Sequence, residues 1–171
     1  MADHRRLLKL RPQLLAYART ICGEADEADD LVQEALVRAL SSDGAPDAAG
    51  DLHFWMFRII RNLYLDNRRK SKVRAEYSAG QERLLNDDPT IGGDPLAGIL
   101  VRQVLESLSS DHREVLFLVD IMGMRYAEAA RVLDVAEGTV MSRLSRARRA
   151  MIERMDSSNV TPMKKVRRRK T

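Results

Sequence analysis

Apolar residues recur along the chain at intervals of three and four, in stretches divided by Gly, Pro, Ser and Asp, and no stretch alternates as a half-buried strand would. Leu14, Leu15, Ala18, Ile21 and Cys22 make the first stripe. Pro12 suits the first turn of that helix and Gly23 its end, which leaves Leu7, Leu8 and Leu10 to a short preceding helix. Ala28, Leu31, Val32, Ala35, Leu36, Ala39 and Leu40 make the second stripe, with Asp26 as N-cap. Residues 41–50 are loop-like. Asp51 then caps a long third helix that turns Leu52, Trp55, Met56, Ile59, Ile60, Leu63 and Tyr64 inward and runs to about Lys70 or beyond.

The period lapses between about residues 71 and 94, where Gly80, Pro89, Gly92 and Gly93 mark a flexible linker. Asp94 and Pro95 start the next helix, which reaches about Leu108. Ser109 or Ser110 caps a helix over 111–122, and Gly123 ends it. Residues 126–149 read as two helices joined by a tight turn, the second rich in Arg and ending near Met155. The predicted fold class is all-α, with two small helical domains joined by a linker. The expected boundaries are 1–75 for the first domain, 76–94 for the linker, 95–156 for the second domain and 157–171 for a basic, disordered tail.

Composition sharpens the picture in one respect. The net charge of +4 conceals a sorting of charge along the 171 residues. Glu24, Asp26, Glu27, Asp29, Asp30 and Glu34 form an acidic patch; Arg58, Arg61, Arg68, Arg69, Lys70, Lys72 and Arg74 form a basic stripe, and Arg143, Arg146, Arg148 and Arg149 another. Such sorting points to two kinds of partner, one of them a polyanion. Cys22 stands alone and His4, His53 and His112 are scattered, so no metal cluster is predicted. No nucleophile–base pair or phosphate loop occurs either, and the expectation is no catalytic residue, no metal and no cofactor. The charged N-terminus and the lack of an apolar run of about 20 residues predict neither a signal peptide nor a membrane span, and a cytoplasmic protein.

Two helices with a positively charged second member have the form of a helix-turn-helix, whose second helix enters the DNA major groove. If Val140, Leu144 and Ala147 face the core, then Met141, Ser142, Ser145 and Arg146 face the groove, and Arg143, Arg148 and Arg149 clamp phosphates. The third helix combines a basic face with Phe54, Trp55 and Tyr64, a combination suited to single-stranded bases. Trp55 also lies on the apolar stripe, so core packing competes with base contact there. The acidic patch would repel phosphates. It is either a solvated face or a surface for another protein.

Three segments resemble the extracytoplasmic-function, or group 4, sigma factors of bacterial RNA polymerase. Residues 29–39 (DDLVQEALVRA) resemble region 2.2 of that family; residues 55–62 (WMFRIIRN), with Asp66, Arg68, Arg69 and Lys70, resemble regions 2.3 and 2.4; residues 108–149 resemble region 4. The resemblance implies that the second helix docks on the coiled-coil of the polymerase's beta-prime clamp through Asp30, Gln33 and Glu34. It implies that Phe54, Trp55, Arg58, Arg61, Asn62, Asp66 and Arg69 bind and melt the −10 element, and that Met141, Ser142, Arg143, Ser145, Arg146, Arg148 and Arg149 read the −35 element. Core RNA polymerase, promoter DNA and an anti-sigma factor are the partners implied. The segment 11–40 is reminiscent of the general-stress-response sigma factors of alphaproteobacteria. Two positions depart from the family pattern: Met141 stands where a basic residue is common, and Arg125 where a capping Ser is common. A sigma mimic that only sequesters an anti-sigma factor is the alternative, which the retained basic stripes oppose. An ordinary one-domain regulator leaves residues 55–70 unexplained.

Overall fold

The computed structural model describes residues 4–46, 48–77 and 102–159. Every regular element among them is helical: α1 (His4–Cys22), α2 (Ala25–Leu40), α3 (Ala49–Tyr77), α4 over the described helical residues 102–107, α5 (Ser110–Leu116), a π-helical segment (Phe117–Ile121), α6 (Tyr126–Leu133) and α7 (Glu137–Asn159). The expected linker over 76–94 and tail over 157–171 fall largely outside the described residues, as does the Asp94-Pro95 start.

Helices α1, α2 and α3 pack on one another through the predicted stripes. Leu7, Leu14, Tyr17, Ala18 and Ile21 of α1 meet Ala28, Leu31, Val32, Ala35 and Ala39 of α2, with Leu52, Met56, Phe57, Ile60 and Leu63 of α3 beneath. The separate short helix expected before Pro12 does not form. Pro12 lies inside one continuous α1. It is exposed there, so the carbonyl deprived of its usual donor is on the solvent side while Leu7 and Leu14 anchor the buried side. Gly23, at φ +84°, ends α1 and donates its N–H to Arg19 O at 3.1 Å.

Two caps differ from expectation by a residue or two. Extended Glu24, not Asp26, is the N-cap of α2, and Asp26 occupies the first turn. Helix α3 begins at Ala49, so Asp51 also lies in a first turn. In both places a carboxylate meets the positive end of the helix dipole without capping it. Ser109 is the cap of α5: its Oγ accepts from the His112 N–H.

The predicted helix over 111–122 widens halfway. From Phe117 it is π-helical, and the Met122 N–H reaches back five residues to Phe117 O at 2.9 Å. Gly123, at φ +69°, then reverses the chain, and the Met124 N–H bonds Leu118 O at 3.0 Å.

The cores of the two halves are continuous. Helix α1 packs on α5 and α3 packs on α6, so the modules that the sequence separates by a linker lie against each other.

Candidate nucleic-acid and polymerase interfaces

The turn between α6 and α7 depends on one residue. Asp134 adopts the left-handed conformation (φ 52°, ψ 50°), which Asp tolerates better than most non-glycine residues. The chain reverses there, the Val135 N–H bonds Ala130 O at 3.1 Å, and α7 starts within three residues. At the other end of α6, Arg125 is the N-cap. Arg has no acceptor atom, so only half of a capping box forms: the Glu128 carboxylate accepts from the Arg125 N–H at 2.7 Å.

Val140, Leu144 and Ala147 fix the rotation of α7 by burying the face at i, i+4 and i+7. Met141, Ser142, Ser145 and Arg146 are exposed beside that face. Ser142 Oγ donates to Thr139 O at 3.0 Å, and Arg146 folds back to donate from Nε to Ser142 O at 3.2 Å and from Nη2 to Ser142 Oγ at 3.3 Å. Met141 is 52% exposed and borders an open groove of about 470 Å³ with Tyr126, Ser145, Arg149 and Ile152.

The three Arg residues assigned to phosphates have different surroundings. Arg149 is exposed. Arg143 is partly buried, with Nη1 3.5 Å from Asp111 Oδ2. Arg148 makes a two-point pair with Asp120 of the π-helical segment. Two of the three are therefore already paired with carboxylates of the chain.

On α3, Arg58, Asn62, Asp66 and Arg69 form one exposed strip at spacings of four, four and three, with Arg69 Nη1 3.6 Å from Asp66 Oδ1. Phe54 and Trp55 are half-buried against the core. Arg61 differs from this group. It turns inward and lies 3.2 Å from Glu114 of α5, with its Nε–H pointed off the line of contact, so the attraction is electrostatic.

In sequence His53 closes the loop from Asp43 that, with Phe54, is a better candidate than Trp55 for touching a flipped base, and it carries no chemistry of its own there. Its ring stacks on Phe54 (6.3 Å, 13°) and packs on Phe57 (4.6 Å), with Nε2 buried and unpartnered. Burial pushes its pKa down, and its ring contacts extend an aromatic surface at the start of α3. The run His53-Phe54-Trp55-x-Phe57 was the available signal.

On α2, Asp30, Gln33 and Glu34 are all exposed. Glu34 pairs with Arg38 at 2.7 Å, and Arg11 of α1 pairs with Asp29 at 3.2 Å. Val37, 62% exposed, adds an apolar contact point one turn after Gln33 and Glu34. Cys22 is half-buried; burial first, then Glu27 and Glu24, push its thiol far up. Among the described residues no group of three or more His, Cys, Asp or Glu could hold a metal, and no helix is long and apolar enough to cross a membrane.

Residues 7–74 match the family profile of Sigma-70 region 2, and residues 99–151 that of Sigma-70, region 4. The ECF RNA polymerase sigma factor EcfG of Rhodopseudomonas palustris is 38% identical over 143 residues, which cover 83% of this chain and 78% of the relative. The ECF RNA polymerase sigma factor SigL of Mycobacterium tuberculosis is 34% identical over 157 residues, covering 86% and 85%. Among solved structures, the sigma factor RpoE from Bartonella quintana, co-crystallised with the anti-sigma factor NepR, is similar at a TM-score of 0.76 and 30% identity over 89% of this chain and 95% of that one.

Proposed function

The chain belongs to the extracytoplasmic-function sigma factors of RNA polymerase, and from that premise we propose how its surfaces divide the work. Acting as a sigma factor, the chain joins core RNA polymerase and directs it to promoters. Family members are initiation factors and not enzymes, and here too polymerisation belongs to the partner. Asp30, Gln33 and Glu34, with Val37 beside them, meet the coiled-coil of the beta-prime clamp, charge pairing giving register and on-rate. The strip Arg58, Asn62, Asp66 and Arg69, with Phe54 and His53, holds the opened −10 element by phosphate contact and stacking. The exposed face of α7 reads the −35 element: Met141, Ser142, Ser145 and Arg146 at base edges, and Arg143, Arg148 and Arg149 at phosphates.

The observation that carries the reading is the rotation of α7. Three buried residues leave four candidate base-reading side chains facing solvent at the start of an Arg-rich helix. The RpoE relative was crystallised with an anti-sigma factor. We extend that mode of control to this chain, and with it a cytoplasmic location and a role in stress response. Run-off transcription with purified core polymerase and a promoter library tests the function. Promoter-specific transcripts that require the chain are expected; core polymerase producing the same transcripts with and without it contradicts the reading.

A further inference from the structure

Glu114 is the one charged side chain buried among the described residues, 6% exposed. It belongs to α5, in the −35 module, but its carboxylate faces the −10 module. Tyr17 of α1 donates to Oε1 at 2.5 Å, and Arg61 of α3 lies 3.2 Å from the same oxygen. Neighbouring positions on α5 make the same crossing. Arg113 Nε donates to Thr20 O of α1 at 3.0 Å, while its Nη1 holds Leu108 O at 2.8 Å. One turn on, Phe117 packs against Tyr17 (5.7 Å) and edge-on against Phe57 (6.4 Å, 90°). A single face of α5 is thus seated between α1 and α3.

A carboxylate withdrawn from water is costly unless its lone pairs are filled. Oε1 of Glu114 takes the Tyr17 hydroxyl from α1 and faces the Arg61 charge of α3, so the contact specifies one docked arrangement and not a loose collapse. The tether between the modules makes docking intramolecular, which raises its effective concentration.

That arrangement conflicts with promoter binding, on the reading proposed above. Elements about 25 base pairs apart are separated by about 85 Å of B-DNA at ~3.4 Å per pair. A compact body the size of the described residues, about 130, has a radius of gyration of about 14 Å and is about 36 Å across. The docked modules cannot reach both elements, and Arg61, one of the −10 candidates, is occupied by Glu114. We propose that Tyr17, Arg61 and Glu114 form a latch that closes the free chain, and that joining core polymerase requires this latch to open.

The test uses the full chain as wild type, Tyr17→Phe and Glu114→Ala. Small-angle scattering gives compactness, gel shift gives affinity for promoter duplex without polymerase, and run-off transcription gives function. Tyr17→Phe retains the ring contacts and removes only the hydroxyl, so it reports even where Glu114→Ala misfolds. Loss of a hydrogen bond to a charged group shifts the closing equilibrium by about 10- to 100-fold. A larger radius of gyration, tighter polymerase-free promoter binding and unchanged run-off transcription are expected. An expanded wild type, or variants with wild-type compactness and DNA affinity, overturns the latch and leaves the sigma-factor reading standing. Expansion accompanied by loss of run-off transcription also overturns it, because the contact would then belong to the working complex. Absence of transcription from the wild type itself counts against the sigma-factor reading instead.

Discussion

Arg148 of α7 grips Asp120 through two bonds, Nε to Oδ2 at 3.1 Å and Nη2 to Oδ1 at 2.5 Å. The pair crosses from the Arg-rich helix to the π-helical segment and ties up one of the cations available to a phosphate. Asp120→Asn removes the competing charge. It should tighten non-specific DNA binding and steepen the dependence of log K on log salt by about 0.9, the increment for one added phosphate contact. A salt titration of gel-shift affinity checks this. An unchanged slope would mean that Arg148 stays off the DNA.

Arg143 and Arg146 are three residues apart and should fail differently. Arg143 sits low beside Asp111, while Arg146 is exposed and folded over Ser142. Arg143→Ala should weaken holoenzyme binding about equally on all sequences. Arg146→Ala should remove about 1–3 kcal/mol of discrimination at one or two positions of the −35 element. Selection on randomised −35 sequences separates the outcomes, and identical profiles for the two variants would refute the division of roles.

Much of this arrangement was legible from periodicity. The stripes of α1, α2 and α3 and the rotation of α7 follow from apolar residues three and four apart, because burial is a property of helix faces. Contacts between distant segments were not legible. Nothing local distinguishes Arg61 from Arg58, yet one is held by Glu114 and the other is exposed. Glu114 itself passes for an ordinary charged residue on a short helix until α1 and α3 cover it. The left-handed Asp134 and the π-helical widening at Phe117 were equally silent, since neither leaves a mark on the apolar period. The continuous α1 shows packing overriding a local signal at Pro12.

Closure should respond to acid in a definite direction. Burial, the largest influence, raises the pKa of Glu114, the Tyr17 hydroxyl and Arg61 pull it back, and Asp111 on its own helix pushes it up. The docked state therefore holds this proton more tightly than the open state. The stabilisation from this group is complete below its ordinary value of 4.5 and is lost as the pH rises through the docked value. Lowering the pH from 8 toward about 5 should enlarge the closed population in wild type and have a smaller effect in Glu114→Gln. Scattering at matched ionic strength measures it; identical responses would show that Glu114 carries no proton linkage.

Gly123 tests the turn that aims α6. A Cβ there meets nothing within 4 Å, so space is not at issue, but φ is +69°. Gly123→Ala should destabilise the fold by about 1–2 kcal/mol through backbone strain alone. Chemical denaturation followed by circular dichroism reports it. A neutral effect would show that the turn relaxes elsewhere.

The central claim is that the exposed acidic face of α2 joins this chain to polymerase. Fluorescence anisotropy of the labelled full chain, titrated with core polymerase lacking any other sigma factor, measures that directly. The account predicts saturable binding, weakened at least tenfold by Asp30→Lys combined with Glu34→Lys, a change of about 1.4 kcal/mol or more. No rise in anisotropy with the wild-type chain, or equal affinity in the charge-reversed variant, would contradict it.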